Sequence, residues 1–352
     1  MREADPHILF EKRGALGLIT LNRPKALNAL THGMCIGMSK TLAEWADDDA
    51  VRVVAIRGTG PRAFCAGGDI RAMVQSSRDK TQAAANFLRD EYRLNARIGA
   101  YPKPYVALTH GVVMGGGAGV SVHGRYRLAD TDLAFAMPET GIGFVPDIGS
   151  SYFLSRCPDA IGTYLALTGA RIGLGDALAS GLMTHGIAAS DHEALIARLE
   201  NGETATAAIA AFTRKSAPSP LAPYRARIDT IFSASSVEAI LERLDRDGDD
   251  FAAESARLLR TRCPTSLKLA FRLMREGKEL SLRDCLKMEY RVALRAVMSS
   301  DFREGVRALL LDKDGAPRWH PAALAGVKDT DIAGHFAPLG ARELRFTENA
   351  GE

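Results

Sequence analysis

The chain has 352 residues, 46% of them apolar and 25% charged, with a net charge of +3. That is the balance of a soluble globular protein with room for one large domain, or for a domain and a smaller appendage. The small, dispersed basic excess argues against a nucleic-acid partner but suits an anionic substrate. No apolar run is long enough to span a membrane, so no membrane partner is expected.

The opening MREADPHILFEKRG (1–14) carries acids and lacks an apolar h-region, which fits neither a signal peptide nor a transit peptide. Cys35, Cys65, Cys157, Cys263 and Cys285 are odd in number and irregularly spaced, with no CxxC. They read as reduced thiols of a cytoplasmic protein. Cys65 sits near a glycine pair but has no patterned His or Asn partner, so it reads as a small buried hydrophobe.

LGLITLN (16–22) predicts a strand ending at the Arg23-Pro24 turn. Thr31 is placed to cap a helix in which Met34, Met38, Leu42 and Trp45 recur at helical spacing. VRVVAIRG (51–58) is a continuous apolar run, as in a strand covered on both faces. The loop GTGPRAFCAGGD follows, and residues 78–98 read as a helix with Phe87, Leu88, Tyr92 and Leu94 as its apolar stripe. YVALTHG (105–111) is another buried strand, and GVVMGGGAGV (111–120) leads into a helix around 116–123. YRLAD (126–130) and LAFAM (133–137) read as short strands. Beyond 150 the strand signal fades into helices over 151–186, 191–213 and most of 221–311, with a Pro/Ser linker or hinge at 216–223. The organisation predicted is an α/β core over 1–190 followed by a mainly helical region over 191–352.

Three features carry chemistry. Ala66-Gly67-Gly68-Asp69 and Gly115-Gly116-Gly117 each follow a strand. Glycine lets backbone N–H groups approach a ligand, and a helix starting at such a turn leaves N–H groups unpaired. Two turns of this kind facing one point make an oxyanion hole; either alone reads as a tight strand-to-helix connection. The third feature is a pair of acids, Glu139 and Asp147, each after a proline and each in apolar, glycine-rich sequence. Acids there are costly to bury, which makes them candidates for acid/base or nucleophilic work. Structurally, Glu139 reads as a charge at a helix N-terminus and Pro146-Asp147 as a turn. Asp69 suits a helix cap better than catalysis, and His110 and His123 read as hydrogen-bonded core residues.

The stretches ITLNRPKALNAL (19–30), AFCAGGDIRAM (63–73), YPKPYVALTHGVVMGGGAG (101–119) and AFAMPETGIGFVPDIG (134–149) resemble the crotonase (enoyl-CoA hydratase/isomerase) superfamily, in order through most of residues 10–190. SVHGRYRLAD (121–130), MPETGIGFVPDIGSSYFL (137–154) and DFREGVRALLLDKDGAPRWHP (301–321) extend the resemblance to its thioester-hydrolysing branch over nearly the whole chain.

The resemblance implies an α/β, crotonase-like spiral of ββα units with a helical C-terminal region that helps close the site and makes trimer contacts. Trimers or hexamers are the implied assemblies. It also implies hydrolysis of 3-hydroxyisobutyryl-CoA to 3-hydroxyisobutyrate and CoA, a step of valine degradation. No metal or redox cofactor is implied, and CoA enters as part of the substrate. Carried over by position, the N–H groups of Gly68 and Gly116 bind the thioester oxygen. Glu139 attacks the carbonyl or activates a water, and Asp147 positions water, holds the substrate hydroxyl or tunes Glu139. Lys25, Ala66, Gly67, Asp69, Arg71 and Gly117 form the implied CoA and substrate-binding set. Hydratases of the family carry a second glutamate where this chain has Gly119. That departure points away from a hydratase or isomerase, and the kept turns and acids point away from a non-catalytic acyl-CoA binding protein.

Overall fold

The computed structural model describes residues 6–214 and 217–346. It is a mixed α/β structure, as the sequence implies, and its contacts divide it into two compact units. The first comprises the described residues through Asp69, Leu94–Ala136 and Arg171–Ala222. The second comprises Ile70–Arg93, Met137–Ala170 and the described residues from Pro223 onward.

The first unit holds the strands β1 (Ile8–Arg13), β2 (Leu16–Leu21), β3 (Val53–Gly58), β4 (Ala63–Cys65), β5 (Tyr105–Thr109), β6 (Val112–Met114), β7 (Tyr126–Ala129), β8 (Ala134–Ala136) and β9 (His185–Gly186). One sheet runs β1-β2-β3-β5-β7-β9 and the other β4-β6-β8. Among the described strands β1 and β2 pair antiparallel, and the remaining ladders are parallel. From β3 onward the chain places one strand in the large sheet and the next in the small one. The crossovers are helical, so each turn of the spiral is a ββα unit.

Burial follows position in the sheet. β2 is buried at all six residues, while the edge strand β1 exposes Leu9 and Lys12 and half-buries Glu11. Leu16, Leu18, Val53, Ala55, Val106, Leu108 and Leu128 form one sheet face, covered by Leu195, Ile196, Leu199, Ala208 and Ile209 of two following helices. Each Leu, Ile or Val among them contributes about 1.5–3 kcal/mol on leaving water. Thr31 caps the helix His32–Ala46 by accepting the Met34 amide at 3.2 Å, and Met34, Met38, Leu42 and Trp45 are its buried stripe.

The second unit is helical. Asp249, Ser281 and Ser299 cap three of its helices by accepting the amides of Ala252, Asp284 and Phe302, each cap contributing about 1 kcal/mol. The helix expected over 78–98 is two helices, Ile70–Asp79 and Ala83–Gly99. The break falls at Lys80, whose φ of +53° is left-handed, and the Ser76 hydroxyl accepts the Ala84 amide to start the second helix. The helices expected over 151–186 are shorter segments: Ser150–Phe153, Ile161–Thr168 and Leu174–Ala179. Of the Pro/Ser linker, Ser216 lies outside the described residues. Ser219 and Leu221 donate to Asp176, which pins that stretch within the first unit.

Candidate active site

In the first unit the two glycine turns lie side by side because the strands that feed them do. β4 and β6 pair in parallel, Ala63 opposite Val112 and Cys65 opposite Val113. Gly67 has φ +120°, and a Cβ there would stand 3.9 Å from the Gly116 nitrogen. Gly117 approaches β4 so closely that a Cβ would fall 2.2 Å from the Cys65 carbonyl oxygen. Leu30 bridges the first turn: its amide donates to the Gly67 oxygen at 2.8 Å and its carbonyl accepts the Asp69 amide at 2.9 Å. That leaves the Gly68 amide out of the ladder. Gly116 opens the helix Gly116–Gly119, where a first amide has no intrahelical acceptor. Among the described residues neither amide has a backbone acceptor.

The remaining first-unit candidates do other things. The Ala66 amide is spent on the Leu27 carbonyl, and Asp69 accepts from Arg23 at 3.4 Å. Lys25 is exposed on a 3₁₀ turn beside a cleft of about 220 Å³ lined also by Thr59, Arg62 and Ala63. His110 bonds the Gly60 carbonyl oxygen at 2.7 Å, and Cys65 is buried outside any disulfide with its Sγ 3.6 Å from the Gly67 carbonyl oxygen, both as core residues do. Asn28 was not singled out in the sequence, yet it is fully buried with φ +56°. Its side chain accepts from the Arg23 amide and donates to Thr59 and Ala63, fixing the loop that precedes β4.

In the second unit the chain buries five carboxyl groups: Glu91 (3% exposed), Glu139 (7%), Asp147 (5%), Glu289 (0%) and Asp301 (5%), the last bonded by the His320 amide and the Cys263 thiol. Glu139 opens the 3₁₀ turn Glu139–Ile142, held by the Thr140 hydroxyl on the Leu167 carbonyl and the Cys263 amide on the Thr140 carbonyl. Gly143 closes that turn in the left-handed region against Asp301, where a Cβ would come 2.3 Å from a backbone oxygen. Glu139 Oε2 and Glu91 Oε1 are buried with no hydrogen-bond partner among the described residues. Asp147 Oδ2 accepts the Tyr92 hydroxyl at 2.6 Å.

Burial is the first cause of every shift here. It pushes Glu139 well above the usual carboxylate range, with the Asp147 charge adding to it and the residue's own amide opposing. Asp147 rises to about 7, burial outweighing the Tyr92 hydroxyl that favours its charged form. Glu91 is raised well above normal by burial and then by the charges of Asp147 and Glu139. Repulsion alone would lift one acid of a pair; desolvation lifts Glu91, Glu139 and Asp147 alike. Carboxyl groups raised together in this way mark a candidate acid/base site.

Arg71 is exposed on the helix Ile70–Asp79. Trp319 donates its ring N–H to the Thr261 carbonyl at 3.1 Å and secures the terminal segment. The sequence reading passed over Glu91 and Glu289, and it took Tyr92 for an apolar residue. The signal was present: Glu91 falls three and four residues after Leu88 and Phe87, and Glu289 three and four after Leu286 and Cys285. Each is an acid on the stripe its helix buries.

The spiral of ββα units with paired glycine turns at its strand ends is the frame of a class of enzymes that act on CoA esters, and the comparisons place the chain in that class. The enoyl-CoA hydratase/isomerase family matches residues 16–336, and the chain belongs to that family. It is 43% identical to the mitochondrial 3-hydroxyisobutyryl-CoA hydrolase of Xenopus tropicalis, covering 97% of this chain and 91% of that one. Two crystal structures share the fold along nearly the whole chain. One is a carnitinyl-CoA dehydratase from Mycobacterium thermoresistibile (41% identity, TM-score 0.94, 98% of this chain and 100% of that one). The other is an enoyl-CoA hydratase from Rhodobacter sphaeroides (40% identity, TM-score 0.90, 97% and 100%).

Proposed function

We propose that the protein hydrolyses the thioester of 3-hydroxyisobutyryl-CoA, releasing 3-hydroxyisobutyrate and free CoA in valine degradation. The observation that carries this reading is the acid pair itself. Glu139 and Asp147 are buried within reach of each other's charge, while position 119 is glycine. Adding water across a C=C bond, as the family's hydratases do, uses a second glutamate at that position to grip the water. A thioester needs donors for a developing oxyanion and one base or nucleophile.

In the mechanism we propose, the amides of Gly68 and Gly116 receive the thioester oxygen, each such donor lowering the barrier by about 3–4 kcal/mol. Glu139 acts at the carbonyl carbon in one of two ways. It bonds to it directly, forming an anhydride that water then opens, or it takes a proton from a water that attacks. In both, the C–S bond breaks and CoA leaves as a thiolate that takes its proton from the water consumed, and in the anhydride route the same water regenerates the Glu139 carboxylate. Asp147, fixed by Tyr92, orients the water or the substrate hydroxyl and tunes Glu139. Gly67, Gly117 and Ala66 shape the turns around the thioester, and Asp69 holds the first turn through Arg23. Lys25 and Arg71 meet the CoA phosphates. CoA is part of the substrate, and the chemistry asks for no metal or redox group.

Five buried cysteines, none in a disulfide among the described residues, support a reducing compartment, and we place the protein in the cytoplasm. Trimers or hexamers are the proposed assembly, a reading supported by the exposed run Leu309–Leu311; sedimentation analysis tests it.

The test is free-thiol release from 3-hydroxyisobutyryl-CoA, 3-hydroxypropionyl-CoA and crotonyl-CoA. The first is expected to turn over fastest, and crotonyl-CoA to be neither cleaved nor hydrated. Hydration of crotonyl-CoA at a comparable rate would replace the reading with the hydratase or dehydratase named for the two solved structures. No thiol release from any ester would leave a non-catalytic binder. A single turnover in heavy-oxygen water separates the two roles of Glu139: label in the protein carboxyl marks the anhydride, and label confined to the product acid marks the base.

A further inference from the structure

Glu289 has no place in the chemistry proposed above, yet it is the most deeply buried carboxyl group of the second unit. It projects from the helix Leu282–Ala296 into the turn that follows Asp147. Its Oε2 accepts the Gly149 amide at 2.6 Å, and its Oε1 accepts the Ser151 amide at 2.7 Å and the Ser151 hydroxyl at 2.6 Å. Among the described residues no cation pairs with it. Burying a carboxyl group without a counter-ion is expensive, and three short hydrogen bonds from one turn offset part of that cost.

That turn would not hold its shape unaided. Ile148, a β-branched residue, sits at φ +57°, and Gly149 follows at φ +87°. A bulky residue in the left-handed region costs about 1–3 kcal/mol and persists only where its surroundings over-determine it. Here the surroundings are the Glu289 oxygens ahead of it, the Ser150 amide closing on the Asp147 carbonyl at 2.9 Å, and Gly277, where a Cβ would fall 2.2 Å from the Ser151 oxygen. The Asp147 side chain is held from the other side by the Tyr92 hydroxyl. The backbone that launches Asp147 is thus set by Glu289, and its carboxyl by Tyr92.

We infer that Glu289 is a positioning residue for the thioester hydrolysis, one that touches neither substrate nor Asp147 and acts by holding the strained Ile148–Gly149 backbone through the amides of Gly149 and Ser151. The inference rests on the role given to Asp147. A misplacement of about 1 Å at a reacting group costs about a hundredfold in rate, so this clamp is read in kcat rather than in binding.

The experiment is a double-mutant cycle on thiol release from 3-hydroxyisobutyryl-CoA, using Glu289→Gln, Asp147→Asn and the pair. Glutamine keeps the volume but presents an NH₂ group to one of the amides. Glu289→Gln is expected to lower kcat about ten- to hundredfold with KM within about threefold, and to add nothing once Asp147 is already Asn. Losses that multiply, or a kcat within twofold of wild type, overturn the inference. Wild-type turnover in Asp147→Asn overturns the role of Asp147 and the inference with it. If Glu289→Gln does not fold, Ser151→Ala decides. It deletes one donor and leaves both amide bonds, and a smaller kcat loss, absent in the Asp147→Asn background, is expected. No loss, or a loss that multiplies, overturns the inference.

Discussion

The glycine turns of the first unit and the acid group of the second are built from opposite materials. The turns are all backbone: they carry no charge, and their geometry exists because side chains are missing, as where a Cβ on Gly117 would meet the Cys65 carbonyl at 2.2 Å. The acid group is all side chain: Glu91, Glu139, Asp147 and Glu289 come from separate elements and are held against the cost of burial. The first region should therefore be indifferent to pH and intolerant of volume. The second should tolerate isosteric change in its fold while its chemistry and its stability follow pH.

The largest effect breaks the second region without touching its shape. Glu139→Gln keeps the volume and removes the titrating group. Turnover is expected to fall at least ~10³-fold, the scale on which removal of a nucleophile or base is felt. CoA-ester binding should stay within a few-fold, and the fold should be as stable or more so, since a buried carboxyl with an unpartnered oxygen disappears. Calorimetric binding beside a thiol-release assay checks it. Activity within ~10-fold of wild type would remove Glu139 from the chemistry.

The next effect breaks the first region by volume alone. Gly117→Ala forces β4 and the Gly116 helix apart. We expect kcat/KM to fall about 10²-fold, as for loss of one oxyanion donor, together with a loss of about 1–3 kcal/mol of stability from overpacking. The shape of the pH–rate profile should stay unchanged. A shifted profile would mean that the turns and the acids are not separable in this way.

The third sharpens the comparison through pH. Asp147 and Glu289 have folded-state values raised by burial to about 7 and about 8. The folded protein therefore holds protons that the unfolded chain has released, and the stability contributed by these groups is full below about pH 4 and is lost as pH rises through 7 and 8. Glu304 has the opposite sign: Arg307 pulls it to about 2, so its contribution fails only in stronger acid. Between about pH 5.5 and pH 8 the buried acids dominate. Urea midpoints are expected to fall across that window, and to fall less in Asp147→Asn. In the same window the acid limb of kcat/KM should lie well above an ordinary carboxylate value, because Glu139 must ionise to act. A midpoint that rises with pH would contradict the shifts.

The same contrast explains what could be read before folding. The glycine turns are local: two short stretches, each after a strand, announce bare amides because glycine has few other reasons to repeat there. Their pairing through β4 and β6 follows from the parallel crossover pattern. Glu139 and Asp147 were visible because each stands in apolar sequence. Glu91 and Glu289 were not, since their helices are full of charged residues, and only placement on the buried stripe marks them out. The Tyr92 hydroxyl and the Glu289 oxygens meet the Asp147 turn across 55 and about 140 residues, a separation that no local pattern encodes. The break at Lys80 was missed for a different reason. A left-handed lysine carries no signature of its own, and polar residues continue on both sides of it.

The smallest effect tests where the chemistry ends. Lys25 and Arg71 are exposed charges with no ion pair among the described residues. An exposed cation facing a phosphate in water contributes about 0.2–1 kcal/mol, so Lys25→Ala and Arg71→Ala should each raise KM for the CoA ester about two- to fivefold and leave kcat alone. At about 0.5 M salt the Debye length is only a few ångströms, and the difference from wild type should largely vanish. A KM defect that survives high salt would mean that the aliphatic stem packs against the ligand rather than that the charge attracts it. A fall in kcat would place the residue among the groups acting on the reacting atoms, and the charged surface could then no longer be separated from the buried acids proposed to carry the reaction.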